Sequence, residues 1–208
     1  MYAFEYQRPD SVAKAVGAAT GDARFLAGGQ SLVQSMKLRL SSASTLVDLG
    51  GIDGLRGISR DGSSVKIGAM TRHSEVARSA DVRAAIPALA DLAGGIGDQM
   101  VRNMGTLGGS IANSDPAADY PAGVLGLGAT VQTDRRSIAA DDFFKDLFTT
   151  ALQPGELIVS VSFPIPQRAA YVKFKQPASR FALVGVFVSQ GASGVRGAGT
   201  GARAPGFR

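Results

Sequence analysis

Apolar residues along the first fifty positions recur in the order strand, helix, strand, helix, strand. Residues 4–6 alternate apolar with polar positions, as a half-exposed strand does. Asp10 and Ser11 are candidate N-caps for a short helix with apolar residues on one side, and Ser31 is a candidate for a second. Further strands are predicted over residues 24–27 and 45–49, and a pair of glycines follows each of them.

The middle of the chain continues the pattern with more helices. Thr71 is a candidate cap for a helix that ends at Arg78, and Pro87 begins another that reaches Gly94. A glycine-rich loop follows over residues 105–109. A helix of small residues is predicted near 117–127, and strands are predicted over residues 64–69, 129–133 and 157–163.

Two more strands are predicted after Pro164 and Pro166, which mark a linker. They cover residues 171–175 and 181–189, and we expect the second, which is largely apolar, to be buried on both faces. Glycines then crowd the end of the chain, which offers little apolar surface to offset the entropy of ordering. The predicted domains are residues 1–51, 52–168 and 169–208, the last being incomplete.

The composition indicates a globular protein and excludes several kinds of site. Hydrophobic residues make up 45% of the 208 residues and charged residues 19%, which is too apolar for a disordered chain. There is no cysteine and one histidine, His73, so the chain cannot itself ligate an iron–sulfur cluster or form a zinc–thiolate site. His73 is predicted to be a surface residue on a short helix.

The distribution of charge indicates which kinds of partner to expect, and the hydropathy indicates whether the chain crosses a membrane. The net charge is +5, but the basic residues are scattered and no aromatic residues interleave with them. This favours a solvated face or contact with an acidic partner subunit over nucleic acid. No apolar run approaches the ~18 residues of a membrane span and no signal peptide is present, so we expect a cytoplasmic protein without a transmembrane segment.

Two glycine-rich loops carry the candidate chemistry. The first, residues 27–31, lies between a predicted strand and a predicted helix, so its backbone N–H groups form a nest suited to a phosphate. The alternative is a tight strand-to-helix turn. The second, residues 105–110, continues to Asn113, Asp115 and Asp119, whose amide and carboxylates suit a ligand with phosphate and sugar hydroxyl groups.

A purely structural role for the second loop stays open as the alternative to ligand binding, because Asp115 and Asp119 also suit the start of a helix. Each loop is weak evidence singly, and two in one short chain favour a dinucleotide. The P-loop, the Rossmann fingerprint and the nucleophile elbow are all absent from the sequence.

The two loops resemble those of the FAD-binding medium subunit of molybdenum hydroxylases, most of all the aerobic carbon monoxide dehydrogenase type. The sequences that carry the resemblance are AGGQSL at 27–32 and VRNMGTLGGSIAN at 101–113. The resemblance covers roughly residues 1–190 in the family's order. Further matching segments are residues 36–40, 46–49, 67–71, 115–121, 154–157 and 179–182.

This resemblance implies an α+β fold, namely a two-subdomain FAD-binding domain of the vanillyl-alcohol-oxidase and MurB-like type with an incomplete C-terminal α+β domain. It implies that the two loops hold the pyrophosphate of FAD, that Asp119 contacts adenosine or ribityl hydroxyls, and that residues 68–71 lie near the isoalloxazine. No catalytic or metal-binding residue is implied. The residues implied to bind FAD are Ala27, Gly28, Gly29, Gln30, Ser31, Leu32, Gly68, Thr106, Leu107, Gly108, Gly109, Ser110, Asn113, Asp119 and Lys175.

Departures from the family pattern concern the second loop and the C-terminus. Ser110 stands where relatives often carry asparagine, and its hydroxyl can still donate one hydrogen bond. Relatives run on beyond the length of this chain. Gly197 and Gly199 fall where relatives carry apolar strand residues, so we expect the strand there to be frayed or absent.

The function implied by the resemblance is electron transfer. Electrons would pass from iron–sulfur clusters on a small subunit through FAD to an external acceptor, while a large subunit carries the molybdenum cofactor and selects the substrate. The implied assembly is a dimer of heterotrimers, and association with the inner face of the membrane through the complex is left open. The alternatives are a stand-alone MurB-like flavin oxidoreductase and a scaffold remnant that binds no flavin.

Overall fold

Helices and strands alternate along the chain in a computed structural model that describes residues 1–192 and 194–201. The helices are α1 (Val12–Ala18), α2 (Leu32–Lys37), α3 (His73–Arg78), α4 (Ala80–Ala85), α5 (Pro87–Gly94), α6 (Gln99–Met104), α7 (Leu107–Asn113), α8 (Tyr120–Gly126) and α9 (Ala140–Phe143). The strands are β1 (Glu5–Gln7), β2 (Arg24–Leu26), β3 (Thr45–Asp48), β4 (Ile58–Arg60), β5 (Ser64–Gly68), β6 (Thr130–Thr133), β7 (Ser137–Ala139), β8 (Phe144–Asp146), β9 (Thr149–Thr150), β10 (Ile158–Pro164), β11 (Arg168–Lys175), β12 (Ala182–Gly191) and β13 (Gly194–Thr200). The predicted α+β class is confirmed.

The N-terminal part forms a small parallel sheet in the order β1-β3-β2. The Ser11 side chain accepts a hydrogen bond from the N–H of Lys14, so its prediction as the cap of α1 is confirmed. Ser31 precedes α2 but makes no capping hydrogen bond, so that prediction is wrong. Met36 of α2 is buried against Leu46 beneath the sheet.

The middle of the chain forms a five-stranded antiparallel sheet in the order β4-β5-β10-β6-β7. Alternate residues of β5, Val65 and Ile67, are fully buried under α4 and α7. Thr71 does not cap α3 as predicted, because its hydroxyl is paired with the backbone of Gly57. The N–H of Arg72 instead donates to the Glu75 side chain at the start of α3.

A shared apolar cluster joins the N-terminal sheet to the middle of the chain. Ala15 and Val47 from the first part pack with Leu55, Met70 and Leu157 from the second. This packing fixes the end of β2 close to the segment that follows β5.

The C-terminal sheet is antiparallel, in the order β11-β12-β13, and its inner face packs on α5 and α8. The prediction that β12 is buried on both faces is wrong, because Val184, Val186 and Val188 on its outer face are exposed. Only alternate side chains of a strand point toward one layer, and helices cover one side of this sheet.

The predicted loss of the strand at Gly197 and Gly199 is also wrong. β13 pairs with β12 at seven positions. Ladder hydrogen bonds come from the backbone, which glycine supplies as other residues do. The inner face is anchored by Thr200, whose hydroxyl donates to the carbonyl oxygens of Pro116 and Ala118. Residues 202–208 lie outside the described residues.

Within the two described ranges, every helix is too short or too polar to cross a membrane.

Candidate functional site

A cavity of about 650 Å³ lies where the N-terminal sheet, α6, α7 and the β11–β12 loop meet. Its volume falls within the range of about 300–1,000 Å³ that is typical of ligand and cofactor pockets. Both glycine-rich loops line it. The structure therefore brings together two segments that are almost eighty residues apart in the sequence.

The first loop connects β2 to α2 and packs on the start of the second. A Cβ on Gly28 would lie 2.1 Å from the carbonyl oxygen of Met104 and 2.8 Å from the Cα of Gly105. Backbone cannot yield at such distances, so only glycine fits. Gly29 adopts a φ of +71°, a conformation that residues with a side chain rarely adopt.

Backbone donors remain free in this first loop. Within the described chain, the N–H groups of residues 28–31 donate to no protein acceptor. Four consecutive free N–H groups beside a cavity form an arrangement that attracts an anion. The prediction of a phosphate nest therefore agrees with the donors that the folded loop leaves available.

The second loop is shorter than the sequence suggested. Only Gly105 and Thr106 are outside a helix, since α7 begins at Leu107 and includes Gly108, Gly109 and Ser110. The Thr106 hydroxyl accepts from the N–H of Gly109 at 3.2 Å and thereby caps α7.

Most N–H groups of the second loop are used inside the protein. Leu107 donates to Thr71, Gly108 to Ala69, and Ser110 to Thr106 through their backbones. A Cβ on Gly108 would lie 2.6 Å from that of Ala69. The second loop thus contributes mainly close backbone packing and hydroxyl groups, whereas the first contributes free N–H donors.

Asp119 lies in the cavity wall just before α8 and is only 4% exposed. Its carboxylate pairs with Lys173 at 2.9 Å and accepts a hydrogen bond from the Tyr171 hydroxyl. Burial raises the pKa of Asp119, while Lys173 and Tyr171 act to lower it. Lys173 also donates to the carbonyl oxygen of Gly95, so the inner face of β11 is tied to the site.

Glu156 fixes the turn after β9 that closes one side of the cavity. Its buried carboxylate accepts from Arg136 at 2.9 Å, from the Thr133 hydroxyl at 2.8 Å and from the N–H of Gln153 at 2.8 Å. The Arg136 guanidinium is the main cause that lowers the pKa of Glu156 to about 2. Glu156 is therefore ionised and structural.

His73 is not the surface residue that the sequence predicted. It begins α3, is 5% exposed and lines the cavity. Burial, with a contribution from Arg102, lowers its pKa to about 4, so the imidazole is neutral at neutral pH. The short polar helix around it gave no signal that its first residue faces inward.

Twelve of the residues that the family resemblance implies for FAD binding line this one cavity. They are Ala27, Gly28, Gly29, Gln30, Ser31, Leu32, Thr106, Gly108, Gly109, Ser110, Asn113 and Asp119.

The other three implied residues do not line the cavity. Gly68 packs against the backbone of Leu55, although Ala69 and Met70, which follow it, do line the cavity. Leu107 is fully buried in the core. Lys175 is exposed beyond a register shift in β11, and Lys173 takes the place facing the site.

The sequence analysis did not predict several other segments of the wall. Two of them are the turn at residues 152–157 and the β11–β12 loop at residues 179–181. Residues 154–157 and 179–182 were noted as matching the family, which was the one available signal. Neither has a polar spacing that by itself indicates ligand binding.

Comparison with known proteins gives a consistent family. The family described as the FAD binding domain in molybdopterin dehydrogenase matches residues 2–166. The carbon monoxide dehydrogenase medium chain of Hydrogenophaga pseudoflava is 39% identical over 201 residues, covering 92% of this chain and 70% of the relative. The nicotine 6-hydroxylase medium subunit of Paenarthrobacter nicotinovorans is 34% identical, covering 89% of this chain and 68% of the relative.

Solved structures agree with this result. Carbon monoxide dehydrogenase from Hydrogenophaga pseudoflava superposes with a TM-score of 0.92 at 38% identity, covering 99% of this chain and 77% of that chain. Quinoline 2-oxidoreductase from Pseudomonas putida 86 gives a TM-score of 0.92 at 33% identity, covering 99% of this chain and 76% of that chain. The chain therefore belongs to the family of FAD-binding domains of molybdopterin dehydrogenases, as the two glycine-rich loops indicated.

Proposed function

We propose that this chain passes electrons from iron–sulfur clusters on a partner subunit, through FAD held in the cavity, to an external acceptor. The chain is an FAD-dependent oxidoreductase subunit of the molybdenum hydroxylase type. The observation that carries the proposal is the meeting of two glycine-rich loops at one cavity, with the N–H groups of residues 28–31 free.

The residues present fit an FAD diphosphate. Free N–H groups of the first loop suit its oxygens, and the glycines let the backbone approach closely. The hydroxyl of Ser110 lines the same cavity and adds a donor beside them. Asp119, already held by Lys173 and Tyr171, is proposed to accept from a hydroxyl group of the adenosine or ribityl part.

FAD, when bound, supplies one- and two-electron redox chemistry that protein side chains lack. The chain itself binds and orients the cofactor and keeps water from its buried parts. None of its side chains is required to act as a general acid or base.

Partner subunits follow from what this sequence lacks. It has no cysteine and one histidine, so iron–sulfur clusters are proposed to lie on a small subunit and the molybdenum cofactor on a large subunit. The proposed assembly is a dimer of heterotrimers in the cytoplasm, within reach of the inner face of the membrane. The division into residues 1–51, 52–168 and 169–208 stays a prediction.

The substrate of the complex is proposed to be selected on the large subunit. This chain is 39% identical to a carbon monoxide dehydrogenase medium chain and 36% identical to the glyceraldehyde dehydrogenase medium chain of Sulfolobus acidocaldarius. Relatives that act on different substrates thus share nearly the same similarity. We propose the aerobic carbon monoxide dehydrogenase type for this complex.

FAD titration of the purified chain, followed by visible absorbance and flavin fluorescence, tests the proposal. We expect saturable binding by the wild type and none by Gly28→Ala, because the new Cβ would overlap the Met104 carbonyl oxygen. Gly17→Ala is the matched control, since a Cβ there meets no atom within 4 Å. A wild-type chain that takes up no FAD would favour the scaffold alternative, and full binding by Gly28→Ala would refute the loop assignment.

A further inference from the structure

His73 is a cavity-wall residue that the proposed FAD contacts do not use. Its Nδ1 atom is buried and has no hydrogen-bond partner among the described residues. A buried polar atom without a partner is uncommon in folded proteins and calls for an explanation.

The backbone and the ring fix the direction of the side chain. The N–H of His73 donates to the carbonyl oxygen of Gly105 at 3.0 Å, which ties the start of α3 to the second loop. The Nε2 atom lies so close to this loop that a Cβ on Gly105 would be 2.5 Å from it. On the other side, the ring of Tyr120 packs with its centroid 5.4 Å from that of the imidazole.

This location is the junction of the two loops. The Cα of Gly105, beside Nε2, is also the atom that a Cβ on Gly28 would approach to 2.8 Å. His73, Gly105 and Gly28 all line the cavity. His73 and Gly28 therefore both pack against Gly105 in the cavity wall.

The unpartnered Nδ1 selects the tautomer of the neutral ring. A neutral imidazole carries its proton on one nitrogen, and the other nitrogen is an acceptor. Native proteins leave buried N–H donors without partners less often than buried acceptors. The proton therefore belongs on Nε2, which makes His73 a donor at the loop junction.

We infer that His73 donates a hydrogen bond from Nε2 to an oxygen of the cofactor diphosphate held between the two loops. This inference rests on the proposed function, since it requires FAD in the cavity. It adds an uncharged side-chain donor to the backbone donors of residues 28–31. It assigns a partner to Nε2 and leaves Nδ1 as the unprotonated nitrogen of the ring.

Binding measurements with cofactor fragments test the assignment. FAD, ADP and riboflavin are titrated separately into the wild type and the variants His73→Phe, His73→Gln and Tyr120→Phe. We expect His73→Phe to weaken FAD and ADP binding by about tenfold, as the loss of one hydrogen bond does, and to leave riboflavin unchanged. His73→Gln should recover part of the affinity, because its amide N–H can donate.

Tyr120→Phe is the matched control. It removes the buried hydroxyl of the neighbouring ring, which has no partner among the described residues, and should leave all three affinities unchanged. An equal loss of riboflavin and ADP binding by His73→Phe would mean that the ring only supports packing, and would overturn the inference.

Nuclear magnetic resonance of the wild type avoids any variant that does not fold. His73 is the one histidine in the sequence, so an untagged chain labelled with ¹⁵N gives a single pair of imidazole nitrogens. We expect the Nε2-protonated tautomer and a shift of its Nε2–H signal on adding ADP. A wild type that binds ADP or FAD with this signal unmoved overturns the role of His73 alone, whereas a wild type that binds neither overturns the proposed function as well.

Discussion

The inner and outer faces of the C-terminal sheet are built from the same strands, yet they differ in what covers them. On the inner face Phe187 is completely buried against α8, and Lys173 and Tyr171 hold Asp119 in the cavity wall. On the outer face Val186 is 45% exposed and Val172 is 73% exposed. Phe187 and Val186 are neighbours in the sequence.

The contrast shows that apolar composition does not by itself tell whether a strand face is covered. Within residues 1–192 and 194–201, helices pack on the inner face, and the outer valines and Phe174 contact no such layer. The inner face also carries the polar contacts of the site. Substitutions on the two sides of one strand should therefore differ sharply in effect.

The largest expected effect is that of Phe187→Ala. The side chain is fully buried and packs so closely on Gly126 that a Cβ on this glycine would lie 2.8 Å from the Phe187 ring. We expect the free energy of unfolding to fall by about 4 kcal/mol, since a large cavity remains. Urea denaturation measures it, and a loss below about 1 kcal/mol would mean that the two faces are energetically alike.

The next effect is that of Lys173→Met, which leaves the buried Asp119 without its cation. We expect the free energy of unfolding to fall by about 3 kcal/mol at pH 8, as it does when a buried ion pair is broken. Burial already raises the pKa of Asp119, and removing Lys173 raises this pKa further. A carboxyl whose folded pKa exceeds its unfolded pKa loses stability as the pH rises through the folded value, so the loss should be smaller at pH 5.

The double variant Lys173→Met with Asp119→Asn is the control for this pH dependence. It removes the buried charge together with its partner, so the difference between pH 5 and pH 8 should disappear. A pH-dependent loss that persists in the double variant would contradict the role of the Asp119 charge.

Protonation of His73, in the cavity wall, should lower the free energy of unfolding by a somewhat smaller amount. Its pKa is about 4 in the folded chain against an ordinary value of 6.5, so stability is complete above pH 6.5 and is lost as the pH falls toward 4. When the pH falls from 8 to 5, protonation of His73 should lower the free energy of unfolding by about 2 kcal/mol. Denaturation at several pH values should show a weaker pH dependence in His73→Gln, and identical curves for the two chains would disprove this titration.

The smallest effect is that of Val186→Thr on the outer face. The side chain is half exposed, and threonine keeps the β-branched shape that strands favour. We expect the free energy of unfolding to change by less than about 0.5 kcal/mol, as for most surface substitutions. A loss comparable with that of Phe187→Ala would show that the outer face is covered in solution.

Several features of this site could be predicted from the sequence because they depend on local chemistry. Gly28 and Gly29 stand between a strand and a helix, where close approach or a positive φ requires glycine. The order of the two loops with Asp119 identified the family. The family resemblance implied Lys175 at the site, but Lys175 lies beyond a register shift in β11, and Lys173 is the residue that pairs with Asp119.

The burial of His73, by contrast, could not be predicted from the sequence. The residues that follow it on α3 include Ser74, Glu75 and Arg78, which do not indicate that the first residue of the helix is buried. His73 is buried because the second loop and Tyr120 pack against it, and both come from elsewhere in the chain. The hydrophobic pattern of a short segment cannot predict a contact with a distant part of the chain.

The sequence by itself determined the α+β class, the two glycine-rich loops and the family, because strand and helix periods and the absence of side chains at key positions are local properties. The tertiary structure decided that the loops share one cavity, that Lys173 holds Asp119, that His73 is buried and that one face of β12 is exposed. Each of these depends on which distant segments pack together, and that packing is set by burial of apolar surface over the whole chain rather than by any short stretch of residues.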